Sequence, residues 1–327
     1  MIGLPHIYVV GGVFFAATAW FSWRDAGRPR RRTAAAFWAL LALSFLAGDR
    51  LGDLGNGVLV LGLVVLGTLG LGHGTQPTST PGERRAGAVR HGDRLFLIAL
   101  IIPVTAFSGT LLIKNTHWGG RLVDPAQATL VSLVAGALLA IAVAHLWLRP
   151  KFAQGERPQR LVALREGRRL VDQVGWAAIL PQMLASLGAV FLASGVGTEV
   201  GRLFSEHLAL DSRWPAVAAY GLGMALFTVL MGNAFAAFPV MTAAVGLPVL
   251  VQRFGGDPAV VCAIGMLSGF CGTLMTPMAA NFNVVPANLL ELPDRNAAFN
   301  AVIRTQAPTA VPLLAVNVLL MAWLAFR

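Results

Sequence analysis

The sequence predicts an all-α polytopic membrane protein of about 8–10 transmembrane segments, including a re-entrant hairpin and a discontinuous helix. Three observations predict it. Of 327 residues, 56% are hydrophobic and 12% charged, where a soluble domain carries roughly a quarter charged residues. Apolar stretches close to the roughly 20 residues that cross a bilayer recur along the chain. The formal net charge of +10 is confined to three loops between those stretches. The period-2 alternation of an outer-membrane barrel is absent.

The first five spans are Leu4 to Trp23, Thr33 to Gly48, Leu54 to Gly72, Leu95 to Ile113 and Pro125 to Leu148, a scaffold region over residues 1–148. No basic stretch precedes the first and no small-residue cleavage site follows it, so it reads as a retained span and not a signal peptide. The loop Arg24 to Arg32 holds five arginines and one acid; His73 to Arg94 holds four basic residues and two acids; Arg149 to Asp172 holds seven and three. The intervening loops, with Asp49, Arg50 and Asp53 in one and Lys114, Arg121 and Asp124 in the other, are nearly neutral. Positive loops stay cytoplasmic, so the N-terminus lies outside, in a bacterial-type cytoplasmic (inner) membrane. The basic loops lack the aromatic interleaving of a nucleic-acid surface. Glycines such as Gly11, Gly12, Gly62 and Gly67 read as close helix packing in lipid.

Residues 149–173 form a cytoplasmic arm, in which Leu161, Leu164, Leu170 and Val171 among arginines suit an amphipathic helix on an anionic membrane surface. Residues 174–327 form a transport region. Within it, 174–200 reads as a hairpin of two arms of about twelve residues, each about 18 Å long or half a bilayer, with its tip at Ser186 to Gly188. Ser194 to Thr198 is the alternative tip, and a full span from Val174 to Val196 with an amphipathic tail is the competing reading. Residues 214–251 are too long for one span. Gly232, Asn233 and Pro239 weaken the helix there, which makes a single discontinuous crossing that separates Ser212 from Arg253; two spans joined by an ordinary loop are the alternative. Unwound backbone at membrane depth persists only where protein or a water-filled cavity satisfies it. Pro258 to Met275 is a span that runs into a polar break up to residue 290, with Thr273, Thr276, Asn281, Asn283 and Asn288, and the last span covers 307–326. From Glu199 onward six basic and six acidic residues balance, so the charge rule gives this half no orientation.

At these breaks the chain is similar to a known group. The succession LASLGAVFLASGVGTEVGRL, LMGNAFAAFPVMTAAVGLPVL and GTLMTPMAANFN resembles the C-terminal half of permeases of the ion-transporter superfamily, which includes gluconate, C4-dicarboxylate and citrate carriers. The resemblance covers about residues 95 to 290. Those carriers have two inverted repeats of scaffold spans, hairpin and discontinuous helix, where this chain has one set. Closer still, it resembles a half-size permease family, domain-of-unknown-function family 979. That likeness implies a split transporter, paired with a second short membrane protein resembling the N-terminal half, with 5-oxoproline as a candidate cargo.

The expected function is therefore a secondary active transporter subunit for a small organic anion such as a carboxylate. Its binding residues would be Ser186 and Gly188 at the hairpin break, Gly232 and Asn233 at the discontinuous helix, and Thr276, Asn281 and Asn283 at the final break, near mid-membrane. Glycine permits close backbone approach, while Ser, Thr and Asn hydrogen-bond without fixed charge. Between Trp214 and Asn288 the only charged side chains are Arg253 and Asp257, so no buried carboxylate relay is evident and coupling to Na+ is favoured over H+. No other cofactor, metal or catalytic residue is expected. Cys262 and Cys271 fall on opposite helix faces, and cysteine-histidine metal spacing is missing. Two other classes compete: an intramembrane enzyme, for which Glu206 and His207 are the one acid-base adjacency, and an accessory subunit without a site.

Overall fold

The computed structural model describes residues 1–72, 81–148, 162–207, 210–279, 282–283, 285–289 and 295–327. The described residues are almost entirely helical, and eight helices are long and apolar enough to cross a membrane. The chain divides into two compact units, Met1–Gly175 and Trp176–Arg327.

In the first unit α1 (Leu4–Arg24) is followed by α2 (Arg31–Leu69), whose 39 residues would extend almost 60 Å if straight. Instead α2 reverses at Gly52, where φ is +62°. Gly62 lies against Leu40, the Asn56 amide donates to the Gly48 carbonyl at 2.9 Å, and the Arg30 guanidinium reaches the Leu69 carbonyl. The two arms are the two spans expected from the sequence. Gly11 and Gly12 of α1 abut Phe45 and Leu46 of α2, the close approach that small residues allow in lipid.

Next come α3 (Pro81–His91), α4 (Arg94–Asn115), α5 (His117–Leu122), a 3-10 turn and α6 (Ala128–Leu148). Gly109 sits on Ser132, and Gly136 sits on Ile102 and Thr105, which seams α4 to α6. α4 has no buried residue, as a lipid-facing helix should. α7 (Val162–Val174) completes the unit.

Contacts between distant segments fix which ends coincide. Ile2 pairs with the α5–α6 link, its N–H donating to Leu122 at 2.7 Å and its carbonyl accepting from Asp124 at 3.1 Å. At the opposite end, Arg28 meets Leu71, Gly72 and Asp172. Five crossings produce this grouping, the same alternation that the loop charges predict.

In the second unit a 3-10 stretch (Gly175–Ile179) leads into α8 (Leu180–Ala193) and α9 (Val196–His207). Then follow α10 (Arg213–Met231), α11 (Ala234–Met241) continuing as a π-helical stretch (Thr242–Arg253), α12 (Pro258–Met275), α13 (Val285–Leu289) and α14 (Arg295–Leu324). Tyr220, Met224, Met241, Val245, Leu250, Val261 and Met321 form the buried core. α12 starts sharply because Pro258 needs no N–H partner and the Asp257 carboxylate accepts from Ala259 and Val260 N–H.

Two sequence expectations change here. The interruption of the 174–200 segment falls at Ser194 and Gly195 (φ +74°), the alternative tip, so Ser186 and Gly188 lie inside α8. The two limbs are bent by 70° at this break, and both lie along α11 and its π-helical continuation: Gly188 faces Phe235 and Pro239, Gly197 faces Val240 and Ala243, and Gly201 faces Ala244. The expected single crossing over 214–251 is instead two antiparallel helices that reverse at Gly232. Gly223 lies against Met241, Tyr220 against Gly246, and Arg253 pairs with Asp211 at 3.1 Å. Ser212 and Arg253 therefore share one end. Pro239 does not break α11. It frees the Phe235 carbonyl, against which Gly188 fits.

Candidate functional site

The reversal between α10 and α11 meets the segment that follows α12. α10 ends at Gly232, which takes the left-handed φ of +79° and donates to the Thr228 carbonyl at 2.8 Å. That conformation favours glycine. Packing demands it too, since a Cβ there would stand 2.7 Å from the Met278 Cβ and 3.0 Å from the Met278 carbonyl oxygen. Asn233 then caps α11, its side-chain oxygen accepting from the Phe235 N–H at 2.7 Å.

The break after α12 is built from the same economy of backbone satisfaction. The Thr276 hydroxyl donates to the Val229 carbonyl at 2.8 Å, tying the end of α12 to an otherwise orphaned carbonyl in the last turn of α10. The Asn283 amide donates to the carbonyls of Thr273 at 3.0 Å and Thr276 at 2.7 Å. Asn283 is fully buried, and its side-chain oxygen has no partner among the described residues. So too with the hydroxyl of Thr228, which faces Gly269 and Gly272 of α12. Gln306 on α14 reaches toward the Phe282 carbonyl and leaves its own oxygen unpartnered in the same way. Around the ends of α10 and α12 there are thus three buried oxygens without a donor, where native interiors leave few. Both helix C-termini also present their negative dipole ends there, while α11 presents a positive one.

Of the residues expected from the sequence, Gly232, Asn233, Thr276 and Asn283 come together. Gly188 packs beside the Phe235 carbonyl, near the start of α11. Ser186 is exposed on α8, away from the bend it was expected to form. Asn281 lies outside the described residues. α10 has 19 residues and α12 has 18, which makes each about 28 Å long. Their opposite ends carry Arg213, Arg253 and Asp257 with the Trp323 and Arg327 pair. The meeting point therefore lies about 28 Å along these helices from that charged end.

A family model described as protein of unknown function (DUF979) matches residues 5–326. The chain belongs to the DUF979 family. No curated protein and no solved structure matches it. The likeness to the ion-transporter superfamily rests on its short motifs alone.

In this DUF979 protein, sequence reasoning missed Thr228 and Gln306. A threonine one turn before Gly-Asn, and a glutamine at the head of the last apolar span, were the available signals. Glu206 and His207 do not form a dyad with each other: Glu206 pairs with Arg202 at 3.2 Å, and His207 Nδ1 lies 2.9 Å from the Leu203 carbonyl. Among the described residues no three His, Cys, Asp or Glu side chains gather to hold a metal ion.

Proposed function

We propose that this chain is a subunit of a secondary active transporter for a small organic anion such as a carboxylate, with 5-oxoproline as its candidate cargo. It works in a bacterial-type cytoplasmic membrane with its N-terminus outside. The observation that carries the reading is the meeting of the Gly232 reversal with the segment after α12, beside buried oxygens that lack partners among the described residues. Helix ends that face a common point are a recurring construction of ion and substrate sites in membrane transporters.

The roles divide by polarity. The oxygens of Asn283, Thr228 and Gln306 suit a monovalent cation, and Na+ fits a site with no carboxylate among the described residues to carry a proton. The start of α11 at Asn233 suits the carboxylate. The half-permease idea, in which a second short membrane protein supplies the complementary half, rests on the sequence resemblance. The test is uptake of labelled 5-oxoproline into vesicles containing both proteins, with and without a sodium gradient. Uptake by this chain alone contradicts the half-permease part. No uptake of 5-oxoproline or other small carboxylates by the pair contradicts the transporter reading.

A further inference from the structure

Arg28 stands in the first basic loop, where the charge rule would leave it facing water or lipid headgroups. It is instead 3% exposed. A guanidinium has five N–H groups, and here all five are engaged. Nε and Nη2 donate to the Leu71 carbonyl at 3.2 and 3.0 Å, and Nη2 also donates to Gly72 at 2.8 Å. Nη1 donates to Ser22 Oγ at 3.3 Å and to Asp172 Oδ2 at 2.8 Å.

Asp172 belongs to α7, 144 residues away from Arg28 in the chain. Its other oxygen accepts from the Trp38 indole at 3.2 Å. Arg168, also on α7, bridges Asp172 at 3.3 Å and Asp25 at 2.6 Å. The result is an alternating chain, Asp25, Arg168, Asp172, Arg28, that joins α7 to both arms of α2 and to α1. The loop that presents Arg28 is itself tightly set: Arg30 holds a left-handed φ of +62°, and a Cβ on Gly72 would stand 2.3 Å from the Pro29 carbonyl oxygen. Farther along α7, Gly167 lies flush on Phe14 of α1, where a Cβ would be 2.9 Å from the ring.

A helix lying on the lipid surface would turn its arginines outward and its apolar residues down. α7 instead turns polar groups into the protein: Asp172 is buried and the Arg168 side chain is largely covered. We infer that Arg28 is a positioning residue that latches α7 to α1 and α2 through Asp172, so that the arm is a docked part of the first unit and not an interfacial helix. The inference does not depend on the transport reading.

The test is proximity of α7 to α1 in the full-length protein in lipid, with Cys262 and Cys271 replaced by alanine. Cysteines at Phe14 and Gly167 are bridged with a short bifunctional thiol reagent, and cysteines at Gly11 and Phe45 report in parallel that α1 and α2 remain paired. Strong 14–167 crosslinking is expected. Arg28→Met leaves the Asp172 carboxylate buried without its main partner, so the 14–167 crosslink falls about tenfold or more while the 11–45 crosslink stays. Adding Asp172→Leu to Arg28→Met recovers most of it, because the stranded charge is gone. Absence of the 14–167 crosslink in the otherwise native protein, its survival in Arg28→Met, a double variant no better than the single, or loss of both crosslinks together would each overturn the latch.

Discussion

Gly232→Ala and Gly255→Ala form a matched pair, because both glycines hold left-handed backbone, with φ of +79° and +71°, just beyond a helix. An alanine in that conformation costs about 1–2 kcal/mol. At Gly255 nothing lies within 4 Å of the added Cβ, so the cost ends there. At Gly232 the Cβ would stand 2.7 Å from the Met278 Cβ, 3.0 Å from its carbonyl oxygen and 3.1 Å from its carbonyl carbon, where carbon atoms rest at about 3.5–4.0 Å. Two of the three contacts are backbone, so the segment after α12 must move, which adds about 1–3 kcal/mol of overpacking. Gly232→Ala should therefore lose about 2–5 kcal/mol against about 1–2 for Gly255→Ala. The assay is reversible unfolding in mixed micelles under increasing dodecyl sulfate, followed by helical circular dichroism. Met278→Ala should not rescue Gly232→Ala, since the Met278 Cβ and carbonyl remain. Equal losses for the two variants would refute the contact between the interruptions.

Asn283→Leu strands two carbonyls at the end of α12 and should destabilise by about 2–5 kcal/mol in the same titration; an unchanged midpoint would contradict the capping role. Cysteines placed at Ser212 and Arg253 should react with an impermeant reagent from the same side of oriented vesicles, because Asp211 and Arg253 are paired; labelling from opposite sides restores the single crossing. Gly188→Val should loosen α8 from α11, since Phe235 and Pro239 already touch the glycine, and should raise protease sensitivity between α8 and α10 more than Gly175→Val does.

The five spans of the first unit and their alternation were legible because each follows from local quantities: apolar length and loop charge. The interruption at Gly232 was legible for a similar reason, Gly-Asn being a poor helix pair in an apolar run. Its outcome was not. Whether a helix resumes forward or reverses after a left-handed glycine depends on what the next helix buries, and here Met241 and Val245 fit against α10. Pro239 misled because its lost hydrogen bond is tolerated where Gly188 covers the freed carbonyl. Ser186 and Gly188 looked like a break on composition, but Gly195 has the positive φ. Asn283 was legible as a polar residue in a break, whereas Thr228 and Gln306 emerge only when α10, α12 and α14 are assembled. Arg28 was invisible as a buried group, since all its partners but Ser22 lie more than forty residues away, at Leu71 and Gly72 and farther still at Asp172.

In the proposed transporter, solute and ion bind at the junction of Gly232–Asn233 with Thr276 and Asn283. Uptake of labelled 5-oxoproline into vesicles holding this chain and the proposed second membrane protein, driven by an inward sodium gradient, measures this most directly. The account predicts saturable, sodium-driven uptake that falls about tenfold or more in Asn233→Ala and Asn283→Ala, both retaining native helical content. Native uptake rates in both variants would contradict it.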